Sequence, residues 1–114
     1  MSSEIIPLMS VQNDVREIFY DPDFMLVLER NLPLLRETAI TRPVEIEKSL
    51  RFKGNFDGFL ISLDIPHDHL WVVMRINGLR NNYDFNGKME QLLVPADATL
   101  DMIVDRHMRI QKML

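Results

Sequence analysis

Several side chains near the middle of the chain belong to types that do chemistry. Ser62, Asp64 and His67 are the residue types of a hydrolytic triad, and His67 and His69 are types that ligate zinc. No Gly-x-Ser-x-Gly turn surrounds the serine, and residues two positions apart diverge by about 200° on a helix. Neither set therefore has the spacing of a known motif. We predict a polar helix start here, with Asp68 near the positive end of the helix dipole.

The remaining candidates for chemistry have simpler explanations. Acid pairs such as Asp57 with Asp64 and Asp97 with Asp101 are better explained as helix caps and solvated faces than as general acid and base. The sequence has no glycine-rich loop that would cradle a phosphate. Trp71 would stack on a sugar or a partner if exposed, but its Leu-Trp-Val-Val context favours the core. We expect no enzymatic activity, no cofactor and no metal site.

Size and composition favour one small domain with its own core. The chain has 114 residues, of which 46% are hydrophobic, and it has no cysteine. The lack of cysteine excludes disulfides and thiolate chemistry and is consistent with a reducing cytoplasm. The net charge of −4 disfavours nucleic acid as the main partner. A small basic cluster near the end is expected to be one solvated face of a helix: Arg106, His107, Arg109 and Lys112.

The beginning of the chain does not have the pattern of a signal peptide. Glu4 stands where a basic residue is expected, and the apolar stretch that follows is short. No apolar run reaches the length needed to span a membrane, so no membrane association is expected. Ile5, Ile6 and Leu8 are nevertheless apolar. They are expected to lie either in a groove of a neighbouring protein or on their own domain.

The pattern predicts helices on both sides of a central unit. A short helix is predicted at 14–20, and Asp21-Pro22-Asp23 is a strong start for the next one. Pro33 predicts a break near Asn31, followed by a short helix to about Thr38. A final helix is predicted to start from Asp97 or Thr99, with one apolar face: Leu100, Ile103, Val104, His107 and Met108.

The central unit is predicted to contain two strands and two helices. After a connection at 38–43, alternating apolar residues predict a strand at 43–52. Asn55 is expected to cap a helix from Phe56, and Pro66 to open a second helix that Gly78 ends. A polar loop and a strand at 91–95 follow. The predicted class is α+β, with a β-α-α-β kernel at 44–95, an N-terminal arm and helices at 1–43, and a C-terminal helix at 96–114.

This kernel resembles the LysM fold. The positions that carry the resemblance are Gly54, Leu60, Leu70, Val73, Asn77, Gly87, Leu92, Val94 and Pro95. The stretch His69-Leu70-Trp71-Val72-Val73, which is followed by Arg75-Ile76-Asn77-Gly78, is more similar to one branch of that fold. This branch comprises the LysM-like baseplate wedge proteins of contractile-tailed bacteriophages and related injection machines.

Two departures from sugar-binding LysM modules fall on the loops that line their sugar groove. Gly54-Asn55-Phe56-Asp57 stands in place of the usual Gly-Asp-Thr-Leu, and the distance from Gly87 to Pro95 is about two residues longer than usual in that fold. These differences favour a scaffold role over peptidoglycan binding.

The resemblance implies a structural component of a phage tail baseplate that acts through protein–protein contacts. Such a subunit would be made in the host cytoplasm, belong to the virion tail and contact other baseplate proteins in a multi-subunit assembly. Its expected partner interface consists of apolar residues at both ends of the chain: Ile5, Ile6, Leu8, Met108, Ile110, Met113 and Leu114.

Two alternatives remain open. The first is a glycan-binding LysM module with a groove formed by Asn55, Phe56, Arg80, Tyr83 and Phe85. The second is a small phage-encoded inhibitor of a host protein, a role suggested only by the small size and acidic character of the chain.

Overall fold

Helices and one small antiparallel sheet build the structure, a computed structural model that describes residues 17–113. Within that range the elements are α1 (Pro22–Arg30), α2 (Leu32–Glu37), β1 (Ile40–Pro43), α3 (Ile46–Arg51), α4 (Phe56–Ser62), α5 (Leu70–Ile76), β2 (Gln91–Val94) and α6 (Asp97–Met113). Short 3₁₀ turns lie at His67–His69 and Asn82–Asp84. This mixture is compatible with the predicted α+β class.

The N-terminal helices begin and end where the sequence predicts. The Asp21 side chain caps α1 by accepting a hydrogen bond from the backbone N–H of Asp23 at 3.0 Å. Asn31 ends α1, and Pro33 lies in the first turn of α2. Backbone N–H groups there have no acceptor within the helix, so the N–H that proline lacks costs no hydrogen bond. The predicted break near Asn31 is confirmed. Of the helix predicted at 14–20, residues 17 and 18 are helical and 19–20 form a turn, whereas 14–16 lie outside the described residues.

The strand predicted at 43–52 is wrong, because this stretch forms α3. Ile46 and Leu50 are four residues apart, which suits one side of a helix as well as it suits alternation. Ser49, which alternation would point to solvent, is fully buried. The true first strand, β1, lies in the predicted connection. All four of its residues are exposed, so it carries no alternating pattern that sequence could show.

The two strands pair although about fifty residues separate them. β1 and β2 are antiparallel, with Ile40 opposite Val94 and Pro43 opposite Gln91. The strand predicted at 91–95 is confirmed as β2. Between the strands in sequence come α3 and then the two predicted kernel helices, α4 and α5, which are also confirmed. The range predicted as the kernel, 44–95, thus contains three α-helices and one strand, and the strand that pairs with β2 lies before it, in the range predicted as the N-terminal arm.

Local capping explains where the two kernel helices start and stop. The Asn55 side chain accepts a hydrogen bond from the backbone N–H of Gly58 at 3.0 Å and so caps α4. Gly78, with φ of 85°, follows α5 in the left-handed conformation typical of a helix C-terminus. Arg42 and Lys48 donate to the last carbonyls of the α4 region, those of Leu63 and Ser62, at 2.9 and 3.2 Å.

One hydrophobic cluster runs through the kernel and the flanking helices. α6 packs against α1, and the His107 ring lies 5.2 Å from the Phe24 ring. The fully buried members come from five of the described elements and include Phe24, Leu28, Leu35, Phe56, Phe59, Leu60, Val72, Val73, Ile76 and Leu92. Leu100 and Ile103 of α6 join the same cluster. The kernel therefore shares its core with helices outside it.

Candidate functional site

The apolar residues predicted to form a partner interface divide into two groups. Met108 is half-buried, whereas Ile110 and Met113 are 51% and 85% exposed on the last turns of α6. The other predicted members, Ile5, Ile6, Leu8 and Leu114, lie outside the described residues. The structure therefore brings two exposed apolar side chains together near the end of α6.

The residues predicted for a glycan groove lie partly in the core. Phe56 and Phe85 are buried against each other, with ring centroids 4.9 Å apart. Asn55 is exposed, but its side-chain oxygen caps α4. Arg80 and Tyr83 are exposed, and Tyr83 has 85% of its surface open to solvent. Of the predicted set, Arg80 and Tyr83 offer free side chains to a ligand.

The loop that carries Tyr83 is held by buried and half-buried polar groups. Asn82 makes two bonds to Asp57: it accepts from the backbone N–H at 2.6 Å and donates to the carboxylate at 2.8 Å. The buried hydroxyl of Ser49 donates to the carbonyl of Gly87 at 2.8 Å and accepts from the N–H of Met89 at 3.0 Å. These bonds tie the loop to α3 and α4, so Tyr83 projects from an anchored support.

A second polar clamp joins α5 to the sheet. The Asn77 side chain, just after α5, donates to the carbonyl of Leu93 at 2.9 Å, and its oxygen accepts from the Leu93 N–H at 3.0 Å. The same amide nitrogen donates to the carbonyl of Val73 at 2.7 Å. One asparagine therefore satisfies a helix terminus and backbone groups of β2 together.

A cleft of about 280 Å³ lies between the start of α1 and α5. We call it the Tyr20–Trp71 cleft. Aromatic and thioether side chains form much of its wall, namely Tyr20 and Trp71 together with Met25 and Met74, and the acids Asp57 and Asp68 also line it. Tyr20 is 58% exposed, and Trp71 is half-buried. The arrangement combines a polarisable apolar surface with two carboxylates.

Neutral groups, not cations, hold the two carboxylates of the cleft. The Tyr20 hydroxyl donates to Asp68 Oδ1 at 3.1 Å, and the Asn82 amide donates to Asp57 Oδ2 at 2.8 Å. The bond to Asp68 raises the pKa of Tyr20, because the carboxylate stabilises the protonated phenol. Within residues 17–113, ion pairs join Arg75 to Glu29 and Arg109 to Asp105, so neither cleft acid has a basic partner there.

His69, next to the cleft, is set in an apolar surrounding. Its ring lies 5.1 Å from the ring of Phe19. Burial lowers the pKa of His69, although the nearby carboxylates of Asp68, Asp97 and Asp101 act in the opposite direction. The neutral imidazole is therefore the form that the fold favours.

Of the side chains considered for catalysis, Ser62 has a local structural role. The Ser62 hydroxyl donates to the carbonyl of Phe59 at 2.6 Å, a bond within its own helix. Across the described part of the chain, no group of three or more His, Asp or Glu is arranged to hold a metal ion. In the same residues, no helix has the length and apolar character that crossing a membrane requires.

Sequence patterns did not reveal the Tyr20–Trp71 cleft. Its walls come from residues 19–25, from Asp57 and from residues 67–74, and nothing in these stretches shows that they meet. The one indication was Trp71 itself, the single tryptophan, next to the acids and histidines that open α5. Its Leu-Trp-Val-Val context favours the core, and the structure leaves it half-buried.

Comparison of the chain with protein-family models, with curated proteins and with solved structures gave no match. Function must therefore be inferred from the geometry of the chain itself.

Proposed function

We propose that this chain is a LysM-like structural subunit of a phage tail baseplate or a related injection machine, where it acts through protein–protein contacts. The observation that carries the proposal is the order and bonding of the kernel. Strands β1 and β2 pair antiparallel, α4 and α5 lie between them in sequence, and Asn77 at the end of α5 bonds to β2. This order supports the resemblance that the sequence suggests, with β1 in place of the strand predicted at 43–52, which forms α3.

The exposed end of α6 suits a docking role. Ile110 and Met113 leave apolar surface in water on a helix that is otherwise anchored to the core by Leu100 and Ile103. Burying such side chains against a neighbour is favourable by roughly 25 cal/mol per Å² of apolar area. An exposed apolar helix end on a packed core is the kind of surface that contact with another subunit buries.

The test is incorporation into assembled particles. Tagged chain is supplied during particle assembly, the particles are purified, and the protein in them is quantified by mass spectrometry and located by electron microscopy. We expect a fixed copy number per particle. The variant Ile110→Asp/Met113→Asp should fold normally but incorporate poorly. A matched control, Gln111→Asp/Lys112→Gln, changes the net charge by the same two units on polar positions of the same turns and should incorporate. Absence of the wild-type chain from particles would overturn the proposal.

A glycan-binding module is the second candidate, favoured by one observation. Tyr83 exposes 85% of its surface on a loop that Ser49 and Asp57 hold in place, beside the exposed Arg80. An aromatic ring on a fixed support is suited to stacking on a sugar. Retention of the protein on insoluble peptidoglycan, lost in Tyr83→Ala and kept in Tyr20→Ala, would support this function. Failure of the wild type to be retained would exclude it.

A further inference from the structure

We propose that the Tyr20–Trp71 cleft binds an arginine side chain from a partner protein. The inference rests on the proposed function in one respect, since it takes the partner to be a different subunit of the assembly. The recognition itself follows from the shape, lining and charge of the cleft.

The size of the cleft suits a single side chain. Its volume of about 280 Å³ is close to the lower limit of small-ligand pockets, which begin near 300 Å³. Met25 and Met74 offer flexible apolar contacts for the methylene stem of a long side chain. Tyr20 and Trp71 offer aromatic surface for a planar cation.

The charge of the cleft selects a cation. Asp57 and Asp68 each have one oxygen bonded to a neutral donor, and their other oxygens, Asp57 Oδ1 and Asp68 Oδ2, receive no hydrogen bond from residues 17–113. Neither carboxylate forms an ion pair within residues 17–113, and the residues that line the cleft include the exposed His67 but no lysine or arginine. An anionic partner group would therefore be repelled, and a neutral sugar would leave both charges unpaired.

Among cations, arginine matches the cleft best. Its guanidinium stacks on aromatic faces and presents five N–H donors in a planar fork, which can serve two carboxylates together. The lysine ammonium is a strongly hydrated point charge that does not stack in this way. The cleft offers both aromatic surface and carboxylates, so an arginine can stack and donate hydrogen bonds there at the same time.

Binding is tested on the full-length protein with a defined probe. N-acetyl-arginine N-methylamide is titrated while the indole N–H of Trp71, the only tryptophan, is followed by NMR. We expect a saturable shift with a dissociation constant in the millimolar range. The neutral isostere N-acetyl-citrulline N-methylamide should produce no such shift. No shift with arginine, or an equal shift with citrulline, would overturn the proposal.

Two double variants distinguish arginine binding in the cleft from general attraction to a negatively charged protein. Asp57→Asn/Asp68→Asn keeps acceptors for Asn82 and Tyr20 but removes both charges, and it should weaken arginine binding about tenfold or more. Glu45→Gln/Glu47→Gln removes the same charge from exposed positions and should bind as the wild type. Equal weakening by both pairs would show non-specific attraction and overturn the proposal.

A further variant keeps the test decisive if the aspartate pair folds poorly. Tyr20→Leu changes an exposed ring and should also weaken arginine binding, because it removes a stacking surface. Wild-type affinity in this variant would overturn the assignment of arginine to the aromatic wall. Self-association of the wild type that is lost in Asp57→Asn/Asp68→Asn would make a second copy the occupant and overturn the assignment to another subunit.

The outcomes for the cleft and for the proposed function are distinguishable. Incorporation of the chain into particles without arginine binding by the isolated protein would refute the cleft alone. Arginine binding without incorporation would refute the baseplate role and leave the cleft as an arginine site. Reduced incorporation of Asp57→Asn/Asp68→Asn, with normal incorporation of Glu45→Gln/Glu47→Gln, would support both the arginine site and the baseplate role.

Discussion

Single polar side chains carry much of the kernel's connectivity, and Asn77 is the clearest case. Asn77→Ala would leave the N–H and carbonyl of Leu93 without the partners that they have now. We expect a loss of about 2–3 kcal/mol in the free energy of unfolding, measured by urea denaturation. Asn31→Ala is the matched control, because Asn31 makes the same bond to a carbonyl four residues earlier without a contact to a strand. It should cost about 1 kcal/mol. Equal losses would contradict the special role of Asn77.

Ser49 provides a second test at the residue scale. Ser49→Ala removes a fully buried hydroxyl that bonds both Gly87 and Met89, so two backbone groups lose their partner. We expect a loss of about 1–3 kcal/mol on urea unfolding. Ser62→Ala, which removes only a local bond within α4, should change the stability by less than about 0.5 kcal/mol. A Ser49→Ala protein as stable as Ser62→Ala would contradict the anchoring of the loop.

The lowered pKa of His69 predicts a pH dependence of stability. Below its ordinary value of 6.5 an unfolded His69 takes up a proton, whereas the folded residue resists protonation until lower pH. The His69 contribution to the free energy of unfolding is therefore complete above that pH and falls as the pH drops through it. Urea midpoints measured from about pH 7.5 to 5.5 should fall less steeply in His69→Gln than in the wild type. A His69→Gln protein with the wild-type slope would contradict the role of His69.

At the scale of elements, a forked ion pair joins α1 to α5. Arg75 donates from Nε and Nη2 to the two oxygens of Glu29 at 2.6 and 3.2 Å, and from Nη1 to the carbonyl of Leu79 at 2.9 Å. The bond to Glu29 raises the pKa of Arg75 further above its usual value. Arg75→Lys cannot make this set of bonds and should cost about 1 kcal/mol. Arg109→Lys, in the exposed pair with Asp105, should have no measurable effect on the unfolding midpoint.

Sequence predicted most elements because their ends carry local chemistry. The cap at Asp21, the break at Pro33 and the cap at Asn55 all act within a few residues, so they appear directly in the sequence. β1 could not be predicted this way. It exists because β2 pairs with it from about fifty residues further along, and its own residues are all exposed. The prediction therefore assigned the strand to the neighbouring apolar stretch, which forms α3.

The difference between local signals and contacts of distant residues also explains which parts of the candidate sites could be predicted. The baseplate resemblance, not helical spacing, placed Ile110 and Met113 in the predicted partner interface, and the structure leaves both exposed. The burial of Phe56 and Phe85 depends on the packing of a loop against α4, which spacing does not show. The Tyr20–Trp71 cleft requires three separate parts of the chain to meet, and no local periodicity shows that they do.

At the scale of the whole molecule, the shared core predicts that α6 is needed for folding whereas its last turn is not. A chain that ends at Ala96 would lack Leu100 and Ile103, which are almost completely buried in the common cluster. Each contributes roughly 1.5–3 kcal/mol by burial, and the truncation also removes the His107 ring that packs against Phe24. Because small domains are stable by only about 5–15 kcal/mol, we expect this truncated chain to lose cooperative thermal unfolding by circular dichroism.

A second, matched truncation removes only the exposed apolar end of α6 that the proposed function assigns to docking. A chain that ends at Arg109 lacks Ile110 and Met113, which are exposed, but keeps the buried part of α6. Its thermal midpoint should stay within a few degrees of the full chain. If these side chains dock on a neighbour, the same protein should enter particles poorly. If the chain that ends at Arg109 unfolds, the end of α6 belongs to the core. If that chain folds and enters particles normally, the end of α6 does not belong to the interface. We therefore expect the buried part of α6, up to Ile103, to determine stability and the exposed part, from Ile110 onward, to determine assembly.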